Sequence, residues 1–277
     1  MSGGADSLAL LVLAVAAGCV VTAVHVDHGL RVGSAAEADV VARAAHRLGA
    51  DFRSERVTVS PGPNLEARAR EARYGVLPPD VLTGHTADDR VETLFLNLLR
   101  GAGPTGLGGI SRSARRPLLD LRRAETEAVC RELGLEFVKD PSNLDPAFRR
   151  NRVRHELLPL LADIGDRDPV PVLVRQADLF AEIDALLEME AAAIDPTSAA
   201  SLREAPPAVA RVAVRTWLIR SGVGNGYPVD SAAVERVLAV ARGDVVATEV
   251  VGGWRVARSK GRIALAASEP CKDAPHG

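Results

Sequence analysis

The stretch Ser2-Gly3-Gly4-Ala5-Asp6-Ser7 stands at the head of an apolar run, and its reading decides the fold. Two glycines let a backbone approach phosphate oxygens closely, and Ser2, Asp6 and Ser7 are residues that cap helices. The free N–H groups and positive dipole end of the helix that follows would face an anion. The stretch therefore points to a nucleotide's pyrophosphate held between a strand and a helix. Only Met1 precedes it, where a buried strand should deliver the loop, so the expectation is that the chain is truncated and its first strand missing.

Leu8 to Gly18, ending at Cys19, imitates the apolar core and cleavage site of a lipoprotein export signal. The only charge before it is Asp6, and the run is too short to span a bilayer, so both membrane readings are rejected. The 277 residues suffice for one large domain and a small one. With 47% hydrophobic and 25% charged residues the chain reads as an ordinary soluble protein. Aromatic residues make up 3%, which argues against base stacking as the main mode of nucleic-acid recognition, and the net charge of -2 argues against a uniformly basic binder. Cys19, Cys130 and Cys271 are scattered, without ligand spacing, which suggests a reducing cytosol and no structural zinc or iron–sulfur cluster.

Outward from the opening stretch, helical and strand periods alternate as in βαβ units. The pattern predicts helices over Asp6 to Ala17, Ala35 to Leu48, Leu65 to Leu77, Asp88 to Leu99 and Ala124 to Leu133. Strands are predicted at Val20 to Val26, Phe52 to Val59, Val81 to Thr83 and Glu136 to Val138. This order implies an α/β fold, a doubly wound parallel sheet with ligands at the carboxyl ends of its strands. Gly101 to Gly109 is too irregular for a phosphate fingerprint and reads as a flap or connection. The expected organisation is a catalytic domain over 1–165, a linker with a long helix over 166–200, a small α+β domain over 201–268 and a disordered tail over 269–277. Two helices (Ala208 to Arg220, Ser231 to Ala241) and three strands divided by Gly252-Gly253 and Lys260-Gly261 make up the small domain.

Three constellations share the active edge of that sheet. In His25-Val26-Asp27-His28-Gly29-Leu30-Arg31 a strand ends in polar groups, where Asp27 could meet adenine or ribose and Arg31 phosphate. Alone, this is equally a strand end with a glycine turn. In Gly84-His85-Thr86-Ala87-Asp88-Asp89-Arg90-Val91-Glu92-Thr93, three carboxylates crowd the first turns of a helix. Helix-end electrostatics is the plain alternative, but the cluster better suits magnesium with its waters or an ammonium group, with His85 as a neutralising, protonating or capping side chain. Arg149, Arg150, Arg152 and Arg154 form a run with no acid until Glu156, and Arg112, Arg115, Arg116, Arg122 and Arg123 precede it. Such a run is either a solvated face or a grip on RNA phosphates.

Together with Asn64-Leu65-Glu66-Ala67-Arg68, Arg116-Pro117-Leu118-Leu119, Asp140 to Asn143 and Asn151 to Pro159, these motifs resemble the bacterial tRNA(Ile)-lysidine synthetases. That family belongs to the N-type ATP pyrophosphatases, whose SGGxDS loop is matched by Ser2 to Ser7. The resemblance is dense over about the first 165 residues and weak beyond them. It implies a PP-loop domain of the adenine nucleotide alpha hydrolase type and a C-terminal tRNA-binding module. The reaction it implies transfers AMP from ATP to the carbonyl oxygen at carbon 2 of the wobble cytidine of a CAU-anticodon tRNA(Ile), releasing pyrophosphate, and then displaces the AMP with the side-chain amine of free L-lysine. ATP would be cradled by Ser2, Gly3, Gly4, Ala5, Asp6 and Ser7, with Asp6 also contacting magnesium. Asp88, Asp89 and Glu92 would serve magnesium or lysine, with His85 a further catalytic candidate beside them, and Arg149, Arg150, Arg152 and Arg154 the tRNA. A homodimer is left open. A tRNA thiolase of the same superfamily is the nearest rival; against it, Cys19 and Cys130 are expected to be buried rather than catalytic. A truncated protein that binds tRNA or ATP without catalysis is the other.

Overall fold

A computed structural model describes residues 1–27, 34–58, 65–224 and 229–267. The apolar run becomes α1 (Ala5–Ala16), which buries Leu8 through Val12. Beyond its cap at Ala17 the chain leads to β1 (Thr22–Asp27), then α2 (Ser34–Arg47) and β2 (Asp51–Arg56). β1 and β2 pair in parallel from Thr22 opposite Asp51 to Asp27 opposite Arg56, the βαβ unit that the alternation predicts. Leu8, Leu11, Ala23, Val41, Ala45, Cys130 and Leu135 close one buried cluster around this unit.

Three helices follow: α3 (Leu65–Val76), α4 (Ala87–Leu98) and the single turn α5 (Pro104–Leu107). α5 lies inside the glycine-rich stretch, and the Asn97 side-chain amide donates to Gly106 O at 2.8 Å, so that stretch is a connection folded onto α4. α6 (Arg123–Glu132) comes next. Two expected strands differ from the prediction. Val81 to Thr83 and Glu136 to Val138 enter no ladder: the Thr83 N–H donates to Arg115 O at 2.8 Å and the Val138 N–H to Gly3 O at 2.9 Å. Apolar character alone made them look like strands. Among the described residues the parallel sheet therefore has two members.

A 3₁₀ turn at Pro141–Leu144 precedes a nearly continuous helical rod: α7 (Arg149–Arg152), a π-helical turn (Val153–Leu157) and α8 (Leu158–Gly165). Val153 and Leu158 bury against Ala87 and Val91 of α4 and Val170 of α9 (Val170–Ala191). The run of arginines is thereby fastened to the helix that carries the acidic cluster.

The chain divides into two units, Met1–Ala181 and Glu182–Gly277. The second holds α10 (Ala199–Glu204), α11 (Pro207–Arg220), α12 (Ser231–Arg242) and an antiparallel sheet of β3 (Ala247–Val250), β4 (Trp254–Ser259) and β5 (Arg262–Ala267). Lys260 and Gly261 both take positive φ, as a tight hairpin between paired Ser259 and Arg262 demands. Val214, Leu218, Val234, Val237, Val240, Val256 and Ile263 form its core. Among the described residues no helix is long and apolar enough to cross a membrane. The tail beyond 267 lies outside the described residues, as do His28 to Arg31.

Candidate active site

Gly3 takes a φ of +70°, and a Cβ there would lie 3.1 Å from Val138 Cγ2. Gly4 then caps α1 without any side-chain bond. This corrects the expectation that Ser2, Asp6 or Ser7 caps the helix. The Ser7 hydroxyl donates to Gly4 O at 2.9 Å, and the Gly4 N–H donates to Ser2 Oγ at 3.4 Å. Asp6 turns away from its own backbone: the Thr126 hydroxyl donates to one carboxylate oxygen, and Arg123 Nε lies 3.5 Å from the other. Burial pushes the Asp6 carboxyl above its ordinary range, opposed by Thr126 and Arg123. The turn is held by its serines.

A groove of about 850 Å³ opens beside β1 and is lined by Ser2, Asp6, Ser7, Asp27, Thr83 and His85, among others. The loop, the strand end and the histidine therefore share one cavity. Gly84 permits this closeness, since a Cβ on it would stand 2.8 Å from Asp6 O and 3.0 Å from its carbonyl carbon. His85 Nδ1 sits 2.9 Å from Thr83 Oγ1. At the edge of β1 the Met1 amine donates to Val24 O, and Met1 O lies 2.8 Å from Nδ1 of buried His25. Arg31, expected at phosphate, falls outside the described residues.

The acidic cluster is real, but its counter-ions come from the chain itself. Asp89 completes a capping box with Thr86, accepting from the Thr86 N–H at 2.9 Å through one oxygen. Its other oxygen accepts from Arg123 at 2.8 Å. Asp88 accepts two bonds from the Arg122 guanidinium, at 3.0 and 3.1 Å, and one from the Arg123 N–H at 2.8 Å. Burial acts to raise the Asp88 carboxyl, yet these donors together hold it below its ordinary value. Glu92 is fully buried and accepts from Arg123, Arg150 and Arg154. Helix-end electrostatics and a ligand site were set against each other in the sequence; Asp89 acts as a helix cap while it also faces the cage.

Arg123 touches three carboxylates: Asp6 at 3.5 Å, Asp89 at 2.8 Å and Glu92 at 3.1 Å. Sequence reading placed Arg122 and Arg123 only among scattered basic residues, and missed Thr126. A usable signal was there. Three acids against the single base Arg90 at 88–92, and four bases without an acid at 149–154, are complementary excesses, and the structure joins them. The arginine run thus splits by face. Arg150 and Arg154 turn inward to Glu92, Arg152 pairs with Glu156 at 2.8 Å, and Arg149 is exposed. Among the described residues no three His, Cys, Asp or Glu side chains are grouped to hold a metal. Asp6, a single carboxylate beside the loop, suits magnesium carried mostly by phosphates and water. Cys130 is buried as expected, whereas Cys19 is exposed because α1 ends before it.

A family model described as the PP-loop domain matches residues 1–161. A tRNA(Ile)-lysidine synthase of Nocardia farcinica is 40% identical over 287 residues, covering 96% of this chain and 90% of that protein. The chain belongs to the tRNA(Ile)-lysidine synthase family. Another tRNA(Ile)-lysidine synthase, from Mycobacterium tuberculosis, is 38% identical over 262 residues, covering 88% of this chain and 81% of that one. A third, from Corynebacterium glutamicum, is 44% identical over 184 residues, 64% of this chain and 58% of its own length. Among solved structures, the U34-tRNA thiolase NcsA from Methanococcus maripaludis with its 4Fe–4S cluster superposes with a TM-score of 0.52 at 18% identity, covering 66% of this chain and 71% of that one. At that identity the likeness shows the fold that this tRNA(Ile)-lysidine synthase family member shares, an α/β PP-loop domain.

Proposed function

We propose that the chain ligates free L-lysine to carbon 2 of the wobble cytidine of a CAU-anticodon tRNA(Ile), using ATP. One observation carries the reading beyond family membership: Arg123 spans Asp6, at the nucleotide loop, and Asp89 and Glu92, at a buried anionic site. Two half-sites, one for a phosphate chain and one for an ammonium, therefore lie within the reach of a single side chain.

In the first half-reaction the cytidine carbonyl oxygen attacks the α-phosphorus of ATP, and pyrophosphate leaves. The backbone amides of Gly3, Gly4 and Ala5, with the Ser2 and Ser7 hydroxyls, receive the phosphates, and Asp27 reaches the ribose or adenine. Asp6 would hold magnesium, which neutralises charge on the phosphates when bound. In the second half-reaction the neutral side-chain amine of lysine attacks carbon 2, the carbon–oxygen bond breaks, and AMP departs with that oxygen. Asp89 and Glu92 would hold the incoming ammonium and can accept the proton it must shed, and His85 lines the groove beside the loop. Exposed Arg149 and Arg152 face RNA phosphate.

The test incubates the full chain with ATP, labelled lysine and a tRNA(Ile) transcript. Label in the RNA together with pyrophosphate release is expected; ATP turnover with no label in RNA overturns the reading. A thiolase would need a reactive thiol, yet burial pushes the Cys130 thiol up, away from thiolate at neutral pH. Replacing Cys19, Cys130 and Cys271 with serine should leave lysine transfer intact.

A further inference from the structure

The anionic half-site is already full. Glu92 has both carboxylate oxygens engaged: Oε1 by Arg123 at 3.1 Å and Arg154 at 2.7 Å, Oε2 by Arg150 at 2.7 Å and Arg154 at 3.1 Å. Asp6, Asp89 and Glu92 bring three negative charges, and Arg123, Arg150 and Arg154 bring three positive ones. A free ammonium arriving here meets no net negative charge. It would have to displace guanidinium forks that bind a carboxylate through more than one N–H.

Two of the three arginines are placed to leave. Arg150 and Arg154 sit four residues apart on one face of the helical rod, whereas Arg123 begins the separate helix α6. The Arg150 side chain is 41% exposed although its partner is 0% exposed, so a phosphate can reach it from outside. Arg149 and Arg152, both exposed, flank it on the same rod. Val153–Leu157 is a π-helical turn, a rare geometry whose extra residue gives a helix a second register within reach.

We infer that Arg150 and Arg154 form a latch on Glu92, and that RNA phosphate opens it by drawing these guanidinium groups away. The vacated carboxylate then takes the lysine ammonium, so lysine binds well only after tRNA. This inference rests on the lysine-to-cytidine reading, and it makes RNA and lysine binding thermodynamically reciprocal.

The experiment is equilibrium dialysis of radiolabelled L-lysine against the full chain, without ATP, in the presence and absence of the tRNA(Ile) transcript. The transcript should tighten lysine binding by about 10-fold or more, and lysine should tighten transcript binding by the same factor. R150Q should bind lysine more tightly than the wild type in the absence of RNA and gain little from the transcript. R154K, which keeps the charge but loses the fork, should fall between them. Equal wild-type affinity with and without transcript overturns the latch, as does weaker lysine binding by R150Q without RNA. The wild-type comparison decides even where a variant fails to fold. Adding ATP separates the two readings: label that enters RNA despite RNA-independent lysine binding defeats the latch alone, and label that never enters RNA defeats the reaction.

Discussion

Asp88 shows how one carboxylate is committed to structure within a cluster that looks uniform in sequence. Its three donors come from Arg122 and the start of α6, away from the residues that line the groove. It therefore fastens α4 to α6, which leaves Asp89 and Glu92 as the pair nearest the proposed ammonium site. Since its folded carboxyl is held below its ordinary value, its contribution is complete above the ordinary carboxylate range and is lost as pH falls through the lower folded value. Asp88→Asn should cost about 2 kcal/mol at neutral pH, because the Arg122 fork and the Arg123 N–H lose a charged acceptor. Urea denaturation at pH 7 and in acid checks the sign. The gap between the wild type and the variant should narrow as pH drops below the ordinary carboxylate range; a gap of constant size would show that Asp88 is not the group being titrated.

Elements were more legible than the contacts between them. The 3.6-residue periods of α1, α4, α6, α11 and α12 and the turn signals around β3, β4 and β5 are local properties, so they can be read one segment at a time. Val81 to Thr83 and Glu136 to Val138 depend on what lies beside them, and each found isolated backbone bonds, Thr83 to Arg115 and Val138 to Gly3, instead of a ladder. The loop and the acids of the candidate site were legible as motifs. The arginine cage was not, because Arg123 and Glu92 are separated by a helix, a connection and a turn, and only folding pairs their charges. Gly84 marks another such contact. Its segment approaches the first turn of α1 so closely that an added Cβ would meet Asp6 backbone atoms at 2.8 and 3.0 Å, neither of which can swing aside. Gly84→Ala should therefore push the His85 segment off α1, destabilise by about 1–3 kcal/mol and sharply weaken ATP binding. Thermal denaturation and labelled-ATP binding measure the two effects, and ATP affinity at the wild-type level would show that the approach is not needed for the nucleotide site.

At the scale of the whole chain, buried apolar residues and candidate chemistry are distributed differently. The buried cluster around Leu218, Val234 and Val256 belongs to the second unit, whereas the loop, the groove and the arginine cage belong to Met1–Ala181. Each unit has its own buried core, and the proposed nucleotide site draws on the first. Leu218 is completely buried in the second core, so Leu218→Ala removes apolar contacts and leaves a cavity there, at a cost of about 2–5 kcal/mol. That loss should appear as an earlier unfolding step in calorimetry, with ATP affinity unchanged at temperatures below the step. Lysine transfer to the tRNA transcript should fall more than ATP binding does if the second unit is where tRNA is gripped. Parallel loss of ATP affinity and lysine transfer would instead mean that the nucleotide site depends on the second core, and that the two units do not divide the work in this way.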